Sequence, residues 1–252
     1  RGGVLVRRVW DWVCRVGAIG PDDPAGRRFG RFGAGSIICF PVNTVFNERY
    51  IQIGEGTMIG PQVTLSAGMV PGQACLSDPV VRIGDRCLIG KGSGIVGHFG
   101  IEIGNDVWTG HHVYITDQNH GYDDLDLPIS QQTQPERPVS IGDGSWLGFG
   151  TVVLPGARIG RHVTIGANSV VTGEIPDHSV AVGAPANSEG PAKYKYDPNW
   201  PKPLPANWAL GGITGMFVDQ NDHIWVLNRP GDLDETNNYA SLNPPTAECC
   251  IS

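Results

Sequence analysis

The stretch "IGDGSWLGFGTVVLPGARIG", residues 141–160, decides the fold. Ile141, Leu147, Val153 and Ile159 recur in it every six residues, and Gly follows three of the four. An amphipathic helix repeats its apolar positions every 3.6 residues and an ordinary strand every two, so neither produces this beat. A hexapeptide reads instead as one short strand and one turn. Its branched side chain points inward, and the next residue is small because it takes the corner. Three hexapeptides make one coil of eighteen residues, and stacked coils pair their strands in parallel around a continuous core.

The same beat extends outward. Ile53-Gly54 leads to Ile59-Gly60 and Leu65-Ser66, Ile83-Gly84 to Ile89-Gly90 and Ile95-Val96, and Ile103-Gly104 to Thr109-Gly110 and Ile115-Thr116. Downstream, Ile159-Gly160 leads to Ile165-Gly166 and Val171-Thr172. Coils therefore start at Ile53, Ile83, Ile103, Ile141 and Ile159, with insertions of 12, 2, 20 and 0 residues between successive coils. A less regular coil is expected over 35–52. The predicted fold is an all-β solenoid, a parallel β-helix.

Composition agrees with many short strands and corners: the 252 residues include 36 Gly and 20 Pro. The formal net charge of -7 disfavours a broad phosphate-binding surface, so nucleic acid is not an expected partner. None of the six Cys forms a C-x-x-C pair; Cys39 and Cys87 read as small core residues, and the reducing cytoplasm is the expected compartment. No apolar run is long enough to span a membrane. Residues 4–17, "VLVRRVWDWVCRVG", read as an amphipathic helix that packs on the body, with lying against a membrane surface as the alternative.

The beat breaks once in a way that bears on function. After "VYITDQNH", residues 113–120, twenty residues intervene before the next coil. In a β-helix this is a loop thrown out from a corner, and long loops in compact folds usually serve a function. Pro128, Pro135 and Pro138 stiffen it, and it can wall a cleft with His120 at its root. A histidine there is suited to taking a proton from an alcohol near neutral pH.

Residues 35–186 resemble the hexapeptide-repeat acyltransferases, whose fold is a left-handed parallel β-helix of triangular cross-section. "DQNHGYDDLDLPI", residues 117–129, is similar to the stretch around the general base of sugar and polysaccharide O-acetyltransferases of the maltose and galactoside type. The resemblance implies His120 as general base. Neighbouring Asn119 or Asp117, or equally a backbone carbonyl, is expected to orient the imidazole. The resemblance also implies that Trp146, Gly148 and Phe149 line a coenzyme A channel facing the loop of a neighbouring subunit, with the Phe149 N–H aimed at the thioester oxygen. "IGANSVVTGEIPDHSVAVGAPA", residues 165–186, resembles the last coil of these enzymes, which implies that Gly166, Ala167 and Thr172 contact the coenzyme.

Two departures weaken the expected grip on the coenzyme's phosphates. Gly173 stands where a Lys commonly follows that Thr, and "ANSEG" stands where a cation follows the final motif. Arg158, Arg161 and Lys193 are the candidates to replace those cations. On the acceptor side, Gly90 and His98 stand where the simple sugar acetyltransferases carry Asn and Asp. His98 and Gln118 occupy equal offsets in successive coils, so they are expected to stack beside His120. With Asp117 they are candidates to bind the acceptor, while His98 could instead tune His120 or be a solvated corner residue.

The implied activity is acetyl transfer from acetyl-CoA, as donor substrate, to a hydroxyl of a saccharide, in a homotrimer and without a metal. The histidines His98, His111, His112 and His120 lack the H-x-x-x-x-H spacing of a three-histidine zinc site. A trimeric scaffold with weak or no activity is the rival reading, and N-acylation of an amino-sugar a lesser one.

Four segments are expected: an N-terminal helical or irregular segment over 1–34, the β-helix over 35–186, a Pro-rich linker over 187–207, and an appendage over 208–252. In the last, Ile213, Met216 and Val218, then Ile224, Val226 and Leu227, flank "DQNDH", a β-hairpin signal. That segment resembles one blade of an NHL-type β-propeller.

Overall fold

The computed structural model describes residues 2–184, 212–218 and 224–229. Its body is a left-handed parallel β-helix with three faces. The first face stacks seven strands, Arg31–Phe32, Ile51–Ile53, Val81–Ile83, Ile101–Ile103, Val139–Ile141, Arg158–Ile159 and Glu174–Ile175. The second stacks Ile37–Ile38, Met58–Ile59, Leu88–Ile89, Trp108–Thr109, Trp146–Leu147, Thr164–Ile165 and Val180–Ala181. The third stacks six, Val45–Phe46, Thr64–Ala67, Gly94–Gly97, Tyr114–Thr116, Val152–Val153 and Val170–Val171.

The register follows the six-residue beat. Ile53, Ile83, Ile103, Ile141 and Ile159 are consecutive partners on the first face. Phe32 extends that row at one end and Ile175 at the other. All five isoleucines are almost wholly buried. Each such side chain contributes about 1.5–3 kcal/mol of transfer free energy, which is why one hexapeptide residue suffices to fix register. The two long insertions leave the stack and return without disturbing it, between Ala67 and Val81 and between Thr116 and Val139.

The corners explain the small residues. Gly110 lies against the next coil so closely that a Cβ would stand 2.6 Å from the Phe149 nitrogen, and a Cβ on Gly148 would stand 2.6 Å from the Ala167 nitrogen. Only a residue without a Cβ permits that approach. Cys87 is buried and burial pushes its thiol pKa up, as expected of a core cysteine. Cys39 is only half-buried.

The predicted N-terminal helix forms over Gly2–Gly17. Its packing on the body is narrower than expected, and none of its residues is fully buried. Val13 and Cys14 are half-buried, and the Trp10 ring lies 6.4 Å from Phe40. The apolar arc of the helix is wider than this contact, so most of it stays exposed. Among the described residues, no helix is long and apolar enough to cross a membrane. The C-terminal hairpin also forms, as antiparallel strands Gly212–Val218 and Ile224–Arg229. The linker over 187–207 lies outside the described residues.

Candidate active site

His120 stands where the chain leaves the third face toward the first. The two ends of the inserted loop pair there as a short antiparallel ladder. The Arg137 N–H donates to the Asp117 carbonyl (2.8 Å), the Asn119 N–H to Pro135 (3.2 Å) and the Gly121 N–H to Thr133 (3.0 Å). Gln118 and Glu136 face each other across it. The ladder holds the loop root rigidly although the loop tip projects, with Tyr122 and Leu125 exposed.

The His120 imidazole is exposed, and its Nδ1 lies 3.3 Å from the Gln134 side-chain nitrogen. Gln134 is in turn hydrogen-bonded to the Gln118 amide. The expected orienting residues do something else. The Asn119 side-chain oxygen accepts the backbone N–H of His120, 2.9 Å away, and does not touch the ring. Asp117 is fully buried, and its carboxylate accepts the backbone N–H groups of His98, Phe99 and Gly100 at 2.6–3.1 Å. A carboxylate consumed by three backbone donors is not available to an acceptor sugar or to the imidazole. Asp117 is therefore the clamp that fixes the preceding coil's corner against the loop root.

His98 and Gln118 are brought to the same corner, as the equal offsets predict: Val96 pairs with Thr116 in the strands that lead to them. The His98 side chain is only 6% exposed, and its Nδ1 lies 3.4 Å from a Glu136 oxygen. Glu136 thus links His98 to the ladder that carries His120. Neither Gln134 nor Glu136 was readable as a site residue, because both act through loop pairing that the six-residue beat does not encode.

The expected coenzyme residues lie elsewhere on the same chain. Trp146 projects from the second face, which is opposite the corner that carries His120. Trp146 pairs with Trp108, and the same row continues through Leu88 to Met58, so this face bears an apolar stripe with Trp146, Trp108 and Met58 exposed. Gly148, Phe149, Gly166 and Ala167 occupy the next corner, between the second and third faces, on successive coils.

That corner differs from its counterpart between the first and second faces. There the N–H groups of Glu55, Asp85, Asn105 and Arg161 donate to Asp85, Asn105, Asp143 and Asp177 of the following coil, at 2.7–2.9 Å. At the second corner the equivalent positions are Lys91, His111, Phe149 and Ala167, which carry no short acceptor side chain. Among the described residues none of these four N–H groups has a hydrogen-bond acceptor. A column of free backbone donors is the group an amide-bearing chain or an oxyanion requires.

Thr172 is not part of that column. It follows strand Val170–Val171 and lies at the far end of the third face from Ala167. Arg161 is not free to hold a phosphate, because its guanidinium grips Asp177 at 2.8 and 3.1 Å. Lys193 lies outside the described residues, while Arg158 is exposed beside a groove of about 410 Å3 on the first face. That groove is bounded by Pro79, Gly100 and Pro138, all at loop roots. Among the described residues no three His, Cys, Asp or Glu side chains converge to hold a metal.

A parallel solenoid of hexapeptides, with a histidine-bearing loop at a corner, places the chain in the class of left-handed β-helix proteins. The family descriptions agree: that of bacterial transferase hexapeptides matches residues 138–173, and that of the hexapeptide repeat of succinyl-transferases matches residues 80–116. A protein of Escherichia coli assigned as a lipopolysaccharide biosynthesis O-acetyl transferase is 33% identical over 157 residues, covering 60% of this chain and 76% of that one. A protein of Mycobacterium tuberculosis assigned as an acetyltransferase is 38% identical over 136 residues, covering 54% of this chain and 42% of that one. The galactoside O-acetyltransferase of Lactococcus lactis is 37% identical over 124 residues, covering 41% and 59%. The chain thus spans less than two thirds of the last two relatives.

In fold, the chain is similar to an N-acyltransferase from Bacillus cereus solved with dTDP-4-amino-4,6-dideoxyglucose and coenzyme A. The TM-score is 0.56 at 19% identity, over 70% of this chain and 90% of that one. This chain belongs to the hexapeptide-repeat transferases.

Proposed function

We propose that the β-helix transfers an acetyl group from acetyl-CoA to a hydroxyl of a saccharide or polysaccharide precursor, with His120 as general base. The observation that carries this reading is the setting of His120, an exposed imidazole at a rigid loop root with Gln134 against one ring nitrogen. The acceptor hydroxyl gives its proton to the other nitrogen, Nε2, as its oxygen attacks the thioester carbon. The carbonyl becomes a tetrahedral oxyanion, and the free Phe149 N–H is the donor for it. Collapse breaks the carbon–sulfur bond, and the departing thiolate takes the proton back from the imidazolium.

One chain does not complete this site. His120 and Trp146 lie on opposite sides of the same triangle, so the N–H column that meets His120 belongs to a second copy. We assign the chain a homotrimer, in which the loop of one subunit reaches the Trp146 face and the Phe149 corner of the next. The exposed apolar stripe through Met58, Trp108 and Trp146 is the surface such a neighbour would cover. Gly148, Gly166 and Ala167 then border the coenzyme's pantetheine, and Thr172 lies beyond it. Gln118 borders the acceptor, and the buried His98 side chain supports that corner through Glu136 without reaching the acceptor. The unit that does this is the β-helix over 35–186, and the propeller-like hairpin at its C-terminal side is an appendage outside the reaction.

A weakly active scaffold is the second reading. The observation in its favour is that Gly173 offers no side chain and Arg161 is already paired. Calorimetric titration of the purified chain with acetyl-CoA separates the two readings. One micromolar site per chain, with acetyl transfer to a saccharide acceptor, supports the enzyme. No binding at millimolar ligand supports the scaffold.

A further inference from the structure

The N-terminal helix carries an interaction surface that the β-helix does not use. At about 100° per residue, Trp12, Leu5, Val16, Val9, Val13 and Val6 share one arc of Gly2–Gly17. Trp12 closes that arc on one side and Trp10 on the other. Arg7, Asp11, Arg15 and Arg8 fall opposite, with Val4 among them. Only the Trp10, Val13 and Cys14 side of the arc meets the body. Leu5, Val6 and Trp12 remain 65, 69 and 61% exposed.

Charge says what covers this face. The helix holds three arginines against one aspartate, while the whole chain carries -7. None of the three arginines has a carboxylate within 4 Å among the described residues. Unpaired arginines beside an exposed apolar arc call for a surface that carries anionic groups directly above an apolar layer, and a phospholipid bilayer supplies both with its phosphates and acyl chains. Tryptophans at both borders of an apolar arc suit an interface that is wet on one side and oily on the other. Sixteen residues without a fully buried side chain lie along such a surface rather than across it.

We propose that Gly2–Gly17 docks this protein onto an anionic phospholipid bilayer, with Leu5, Val9 and Trp12 in the acyl boundary and Arg7, Arg8 and Arg15 among the headgroup phosphates. This docking is independent of the acyl-transfer reading. The test is flotation of the full chain with vesicles of phosphatidylcholine alone and of phosphatidylcholine mixed with phosphatidylglycerol. Binding to the mixed vesicles should be at least about tenfold tighter and should weaken with added salt.

Leu5→Glu with Trp12→Glu should abolish binding while leaving the thermal unfolding of the β-helix unchanged. Replacing Arg7, Arg8 and Arg15 by Gln should remove the preference for the anionic vesicles. Equal binding to both vesicles, or none to either, overturns the proposal. So does a fall in oligomer mass on Leu5→Glu without vesicle binding by the parent chain, which would mean that a second copy covers the face.

Discussion

Gln134 holds Nδ1 of His120 at 3.3 Å from across the loop root, fourteen residues further along the chain. The direction of this hydrogen bond decides which ring nitrogen can act. For Nε2 to accept a proton, Nδ1 must carry the hydrogen and Gln134 must present its oxygen. A side-chain amide meets that demand by rotating half a turn, with Gln118 rotating to match. In the proposed reaction Gln134 is thus a positioning residue for His120.

Gln134→Glu tests this pairing. A carboxylate beside Nδ1 favours the charged imidazolium, so the histidine stays protonated to higher pH. The rise of kcat/KM with pH should move upward, with little change in the affinity for acetyl-CoA. An unmoved profile would separate Gln134 from the base.

Ala167→Asp tests the free N–H column. At the opposite corner, Asp143 caps the Asn105 N–H at 2.7 Å and Asp177 caps the Arg161 N–H at 2.8 Å. An aspartate at 167 should cap the Phe149 N–H in the same way. Stability should hold, while kcat falls by roughly 10²–10³ through loss of the oxyanion donor. Mixed trimers of Ala167→Asp and His120→Ala chains should regain activity, because some of their sites draw both intact halves from different subunits.

Asp117→Ala should damage the fold and the site together. It leaves the N–H groups of His98, Phe99 and Gly100 without their acceptor. These bonds are only partly buried, so water takes over part of what the carboxylate supplied, and a total loss of about 1–3 kcal/mol is expected in chemical denaturation. Asp117→Asn keeps one acceptor oxygen and should lose less.

Acid should weaken the last coils in a defined window. The Arg161 backbone N–H, and then its guanidinium, hold Asp177 below the usual carboxylate range. A carboxylate whose folded pKa is depressed adds stability above its unfolded pKa and loses it as pH falls through the folded one. The midpoint of unfolding should therefore drop on acidification below the usual carboxylate range, and Asp177→Asn should blunt that drop.

The β-helix was legible because its signal is additive. Every coil from Ile53 to Ile159 repeats the same inward residue and the same small corner, and the register of the first face matches that spacing. His120 stands out as a candidate in the sequence because the beat stops beside it. The residues that hold it were not. Gln134 and Glu136 look like ordinary loop polarity until the ladder folds them back, and sequence does not reveal that Asp117 is buried against three backbone donors. The contrast between Asp85, Asn105, Asp143 and Asp177 at one corner and Lys91, His111, Phe149 and Ala167 at the next was present in the sequence. Its meaning depends on knowing which N–H each side chain would cap. The helix was legible as amphipathic, but the width of its contact with the body depends on the shape of the β-helix end.

The most direct measurement is the turnover of His120→Ala, followed by release of the coenzyme thiol with a saccharide acceptor that the parent chain acetylates. With His120 as the base, the rate should fall by roughly 10²–10⁴ while acetyl-CoA binds as tightly as before. A variant that keeps nearly the full rate would remove His120 from the reaction and with it the account of this site.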